Sequence, residues 1–404
     1  MNTRLSVPSV AAMLAPVLTP MAVAAAPARP APPPPPYEGI YQPRGVDEIG
    51  LWHEADEDER QLAASPLVIQ DEALTSYVKG VLCATVGADR CKATRVYVLR
   101  TPVFNASMTP NGTMRVFSGA LLRMRNEAEL AAVLGHEFGH FEARHSLGQF
   151  KADRRGTDLI SWASVLIAMA GTSQAYSSFN SLQISVFGGL YRHQRDGERQ
   201  ADLLGLGYLN ASSLPPQSAS RVWQNLMAEA EASASARGLK RPQFDSIAFA
   251  ASHPPNAERA GYLGELALPE GSGRDAGAAR YARAMAPWQR LFLDDQIKLN
   301  DFGASEYIIA TLAQDGWTAA LWHARGELYR ARGTYRDLAN AADFYARAVE
   351  LEPDLAEAQR GLGLSLVKTG RREEGAAALR RYLTLKPDAS DAAMIGMLTD
   401  MGAR

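Results

Sequence analysis

Five residues raise the question of chemistry first: His136-Glu137-Phe138-Gly139-His140 reads as H-E-x-x-H. On an α-helix, residues four apart lie on one face, one turn above the other. His136 and His140 therefore present two imidazole nitrogens to a single cation, and imidazole is a common zinc ligand. Glu137 projects about 100° round the helix from His136. It is not placed to be a third ligand in the same plane, but it can reach a water held by the cation and take its proton. A five-residue pattern also arises by chance, so the chemistry needs a third ligand and elements that bring it close.

Arg195-Asp196-Gly197-Glu198-Arg199-Gln200-Ala201-Asp202 offers one. Leu203, Leu204, Leu206, Tyr208 and Leu209 follow, so the stretch starts or sits in a helix. Glu198 and Asp202 share a face. That suits Glu198 as a metal ligand and Asp202 as acceptor for the ring N–H of a ligating histidine. The plainer alternative is a solvated acidic pair. A third cluster is Ser252-His253-Pro254-Pro255-Asn256-Ala257-Glu258-Arg259. The prolines keep His253 out of a helix. A His or Arg here could stabilise the oxyanion formed on a peptide carbonyl. Neutral His253 could instead fill a fourth zinc position and exclude water. By its chemistry alone, His253 reads as a surface residue.

The elements around these residues are legible. Asn126 and Glu129 form an N-x-x-E start to the H-E-x-x-H helix, and Leu130, Leu134, Phe138 and Phe141 form its apolar stripe. Gly135 and Gly139 weaken a helix, which predicts another backbone packed close to the metal-binding turns. His145 lies nine past His136, too far along that helix to join the metal, and reads as structural or surface. Upstream, Arg95–Leu99 reads as a strand and Val103–Ala106 as extended. Pro110-Asn111-Gly112 is a turn with positive φ expected at Asn and Gly. Met114-Arg115-Val116-Phe117 is the returning strand. As a sheet edge it would pair with an extended peptide; otherwise it is ordinary sheet packing. A helix is expected over 71–82, and the acidic run Glu54–Glu59 reads as a solvated helix face. Leu159–Gly171 is apolar but shorter than the ~20 residues a membrane span needs. It predicts a buried helix beside the site, or a surface-seeking one that touches a membrane peripherally. The polar stretch Ser173–Asn180 reads as a loop over the cleft.

The 404 residues are 47% apolar and 21% charged, with a net charge of −2, which gives no electrostatic basis for nucleic-acid binding. Arg4, the apolar stretch Val7–Ala26 and Ala22-Val23-Ala24 predict a signal peptide over 1–24, and Pro/Ala-rich residues 25–37 a linker. In an oxidising compartment Cys83 and Cys91, eight apart, are expected to pair; the alternative is two buried thiols. In the tail, Pro353-Asp354 and Pro387-Asp388 recur at 34 residues, the tetratricopeptide period. Trp322, Gly326, Tyr329, Ala341, Tyr345 and Ala348 fit one repeat; Leu362, Gly363, Leu366, Leu379 and Pro387 fit the next.

H-E-F-G-H, E-R-Q-A-D and S-H-P-P-N-A-E-R in this order, with Thr101–Ala106, resemble the zinc peptidase family of CAAX prenyl endopeptidases, HtpX and the BepA-like protease-chaperones. The signal peptide and repeat tail are most similar to the BepA-like group. The resemblance implies one zinc per chain, held by His136, His140 and Glu198. It implies Glu137 as general base and then acid, with Asp202 behind a histidine ligand. It also implies an active-site role for His253, with Arg259 beside it. The implied fold is an α+β zincin-type protease domain over 38–285, mainly α with a small sheet, and an all-α tetratricopeptide domain over 286–404. The implied activity is cleavage of misfolded or stalled outer-membrane proteins in the periplasm, or a chaperone or scaffold role with latent proteolysis. The implied partners are protein or peptide substrates and, through the tail, outer-membrane assembly machinery.

Overall fold

The computed structural model describes residues 41–170, 194–244, 257–269, 271 and 273–401. The signal segment, the linker, Ser173–Asn180 and His253 lie outside the described residues. All described residues fall within one compact unit.

Helix α1 (Gly45–Ala63) carries the acidic run, and only part of that run is solvated. Glu59 accepts from Arg95 Nη2 at 2.6 Å and Tyr97 Oη at 3.0 Å, and Asn111 donates to Asp56 at 2.8 Å. Burial opposes a charge on Glu59, yet Arg95 holds its carboxyl down at about 2. Helix α2 (Glu72–Val86) is capped by Asp71, which accepts from Leu74 N at 2.6 Å, and buries Leu74, Val78, Val81 and Leu82 as the spacing predicts. A Cys83–Cys91 disulfide ties α2 to the short α3 (Ala88–Cys91).

Three strands follow: β1 (Arg95–Leu99), β2 (Ala106–Met108) and β3 (Thr113–Phe117). Their order is β1-β3-β2, with β3 parallel to β1 and antiparallel to β2. Met114-Arg115-Val116-Phe117 is therefore the central strand, not an edge open to a peptide. The register sets Val96 beside Met114 and Val98 beside Val116, and all four are buried in one core. Burying that shared apolar face is what fixes β1 on the side of β3 that a simple hairpin would leave free. The outer strand near the metal helix is β2. In the turn only Gly112 takes a positive φ, of 90°. Asn111 keeps an ordinary φ and spends its amide on Asp56 and Thr109.

Helix α4 (Ser118–Arg123) leads to α5 (Glu127–Glu142), the H-E-x-x-H helix. Asn126 accepts from Glu129 N at 2.9 Å, while the Glu129 carboxylate reaches back to Arg125 N rather than Asn126 N. Helix α6 (His145–Ala170) runs through the start of the apolar stretch, where Leu159 is half exposed. Most of the expected buried helix lies outside the residues whose side chains are described. No described helix is long and apolar enough to cross a membrane.

Helix α7 covers 194–211. It is followed by α8 (Ser218–Ala236), α9 (Ala257–Leu266) and α10 (Ala278–Ile297). Position 285/286 falls inside α10, and Pro287 sits within that helix. One apolar core continues from Leu74 on α2 through Phe292 on α10 to Leu328 on α12. The tail comprises α11 (Phe302–Leu312), α12 (Ala319–Arg332), α13 (Tyr335–Leu351), α14 (Ala356–Lys368), α15 (Arg372–Leu385) and α16 (Ala392–Met401). From α12 onward each helix packs on its successor. Tyr345 of α13 is fully buried against Gly326 and Gly361; a Cβ at Gly326 would lie 2.6 Å from its ring.

Candidate metal centre

The site is made by two helices in unusually close contact. A Cβ on Gly139 would sit 2.9 Å from the Ala201 carbonyl oxygen, and one on Gly205 2.9 Å from His136 N. The absence of side chains at these positions lets the α5 and α7 backbones touch. This is the close approach that Gly139 predicts, and Gly135 faces Gly205 in the same contact. It carries Glu198 to the imidazoles.

His136 Nε2 and His140 Nε2 are 3.1 Å apart. Glu198 Oε1 lies 3.3 Å from His140 Nε2, and Oε2 3.5 Å from His136 Nε2. Zinc bonds of about 2.0–2.1 Å in a tetrahedral shell place ligand atoms ~3.3 Å apart. The cluster has that spacing and the N/O donor set zinc takes. Two imidazole nitrogens facing each other at 3.1 Å need a proton or a cation between them. The residues fit a metal ion.

Each histidine is held from behind. Asp202 Oδ1 accepts from His136 Nδ1 at 2.9 Å, the contact the four-residue spacing from Glu198 suggests. Arg259 grips Asp202 with two bonds of 2.7 Å and places Nη1 3.0 Å from Glu198 Oε2. Its guanidinium lies 3.9 Å over the Trp223 ring, and Tyr262 donates to Asp202. Arg259 is thus at the site, with its charge directed at two carboxylates. Burial disfavours a charged His136, but the Asp202 hydrogen bond and charge overcome this and lift it to about 9. Asp202 is held well below the carboxylate range despite its burial, by His136 and Arg259. A metal entering this site displaces a proton from His136.

His140 is held differently. Its Nδ1 lies 2.8 Å from His145 Nδ1, and His145 Nε2 lies 3.0 Å from Gln200 Oε1. With His140 Nε2 facing the cluster, its Nδ1–H donates to His145, whose own N–H then donates to Gln200. The expectation that His145 stands apart from the metal assumes a continuing helix. Helix α5 ends at Glu142, and Arg144 at φ 56° turns the chain so that His145 folds back. Sequence reasoning missed His145, Gln200, Trp223 and Tyr262. Only Gln200, between Glu198 and Asp202, carried a positional hint.

Comparison with known proteins agrees with this geometry. Residues 69–267 match peptidase family M48. The chain is 30% identical over 175 residues to mitochondrial metalloendopeptidase OMA1 of Schizosaccharomyces pombe, covering 43% of this chain and 47% of that one. It is 25% identical over 177 residues to the beta-barrel assembly-enhancing protease of Escherichia coli, covering 42% and 36%. It is 30% identical over 167 residues to the metalloprotease YcaL of Escherichia coli, covering 41% and 59%. The matches span between about a third and three-fifths of these relatives' lengths. Residues 69–267, the part similar to peptidase family M48, are mostly helical with a three-stranded sheet, and their His-His-Glu cluster is compatible with metal binding.

Proposed function

We propose that this chain is an exported zinc endopeptidase of the periplasm that cleaves misfolded or stalled outer-membrane proteins. The observation that carries the hydrolytic part is the convergence of His136, His140 and Glu198, with Glu137 beside them on α5. Bound zinc would act as a Lewis acid toward the scissile carbonyl and acidify a water. His136 and His140 offer Nε2, fixed by Asp202 on one side and His145 on the other. Glu137 takes the proton of the attacking water and passes it to the leaving amine. Arg259 fixes Glu198 and Asp202 in place, and His253 is assigned to the active site by its motif.

The choice of substrate rests on the name of one relative, the beta-barrel assembly-enhancing protease. The stacked helices after α11 support reading 286–404 as a tetratricopeptide-like platform that docks substrates or assembly machinery. A second reading, a chaperone or scaffold with latent proteolysis, is favoured by burial: Glu137 is only 4% exposed. Glu137→Gln tests both. The hydrolase reading expects zinc to be retained and peptide cleavage lost; undiminished cleavage would falsify the mechanism. Full rescue of a deletion strain by the same variant would favour the scaffold.

A further inference from the structure

Helix α1 holds two distant parts of the chain. Its C-terminal half grips the sheet and its turn, through Glu59 to Arg95 and Asp56 to Asn111. Its N-terminal half grips the turn after α5. The buried residues of α1 are Glu48, Ala55 and Leu62, so a carboxylate stands where an apolar side chain is usual. Glu48 Oε1 accepts from Arg144 Nη1 and from Tyr41 Oη, each at 2.6 Å, and Oε2 accepts from Arg44 N at 2.7 Å. Arg144 Nη1 also donates to Tyr41 Oη, and its guanidinium lies 4.5 Å over the Tyr41 ring, which packs on Trp52. Asp47 adds an ion pair to Arg154 further along α6. A cavity of about 20 Å³ is bordered by Glu48, Trp52, Arg144 and His140, so this clasp adjoins one of the candidate metal ligands.

Arg144 is where the clasp acts. Its φ of 56° is left-handed, a conformation in which a side chain crowds the backbone. The other non-glycine residue with positive φ among the described residues is Asn300, a type that tolerates it. Arg144 needs outside contacts to stay there, and Tyr41 and Glu48 supply them. His145, the next residue, owes its place against His140 to that turn. Tyr41 and Glu48 precede residues 69–267, the part that matches the family model. We propose that Tyr41, Glu48 and Arg144 are positioning residues for the metal centre, locking the turn that sets His145 behind His140. The inference rests on the metal-binding part of the reading above. Zinc affinity thereby depends on a segment that precedes the matched part of the chain.

Zinc competition against a chelator, on the full chain, tests this. Glu48→Ala is expected to weaken zinc binding about fivefold, less than the ~10-fold or more lost with a direct partner of a ligand. Glu48→Gln keeps an acceptor for Arg144 and should recover part of the loss. Glu48→Ala added to His145→Ala should cost no further affinity, because the one acts through the other. With cobalt(II) in place of zinc, the visible absorption bands should change alike in Glu48→Ala and His145→Ala. Arg144→Gly relaxes the turn but removes the clasp, and is expected to weaken zinc binding as Glu48→Ala does. Glu59→Gln loosens the other half of α1 and should lower the melting temperature with zinc affinity unchanged. Unaltered affinity in Glu48→Ala or Arg144→Gly, additive losses in the double variant, or an equal loss in Glu59→Gln overturns the clasp and leaves the metal centre standing. No zinc binding by the unaltered chain overturns the metal centre itself, and the clasp's role with it.

Discussion

The metal centre and the tail use the same device for opposite ends. In both, glycines let something come closer than a Cβ would allow. At the metal centre, Gly139 and Gly205 bring two helix backbones together. What they bury is polar: His136, Glu137, Glu198, Asp202 and Arg259 are all under a tenth exposed. In the tail, Gly326 and Gly361 make room for one Tyr345 ring, and Gly363 for Leu379. What they bury there is mostly apolar packing, with the Tyr345 hydroxyl donating to Glu327 at 2.7 Å. Close packing of rings and methyls stabilises directly. Close packing of charges stabilises only while every partner is present. The tail should thus lose stability when cut back, whereas the centre should lose both stability and its ligand.

A paired substitution gives the largest effects. Asp202→Ala leaves Arg259 without its main partner and His136 unheld. It should cost ~3–5 kcal/mol and weaken zinc binding about 10- to 100-fold. Tyr345→Ala should cost a similar ~3–5 kcal/mol by opening a cavity but leave zinc affinity unchanged. Thermal unfolding together with zinc competition against a chelator separates the two; equal loss of zinc affinity in both would show that the regions are not independent.

A sharper test stays within the centre. His136 is oriented by a buried carboxylate, His140 by a hydrogen-bonded chain through His145 that ends at exposed Gln200. His145→Ala should lower zinc affinity about tenfold, at the weaker end of such effects. His145→Asn, which keeps an acceptor, should recover part of it. No change in either variant would remove His145 from the site.

The smallest effect concerns the join between core and tail. Glu357 on α14 lies 3.0 Å from Arg290 on α10 and 2.6 Å from Lys386 at the C-terminal cap of α15. Burial opposes its charge, but Lys386 and Arg290 hold its carboxyl at about 2. A depressed folded pKa contributes stability above the unfolded value of ~4.3. That contribution fades as pH falls from there through about 2. Glu357→Gln should lower the melting temperature slightly at pH 7, with the difference closing toward pH 2. A constant difference across that range would rule out this linkage.

Helical periodicity made much of this legible. The spacing of His136 and His140, of Glu198 and Asp202, and the stripe on α5 are local geometry, fixed by 3.6 residues per turn. Gly139 even predicted contact with another backbone, though not with which one. Chain reversals were not legible. His145 depends on one left-handed residue, Arg144, and no spacing rule marks where a helix will turn back. The rank of β3 in the sheet depends on β1, whose docking is decided by burial across the whole core.

By itself, then, the sequence determined the donor atoms, because a helix fixes which side chains share a face. Only the tertiary structure decided what stands behind them: Arg259 across two carboxylates and His145 behind His140. Those depend on contacts between elements distant in the chain, where packing rather than spacing selects the partner.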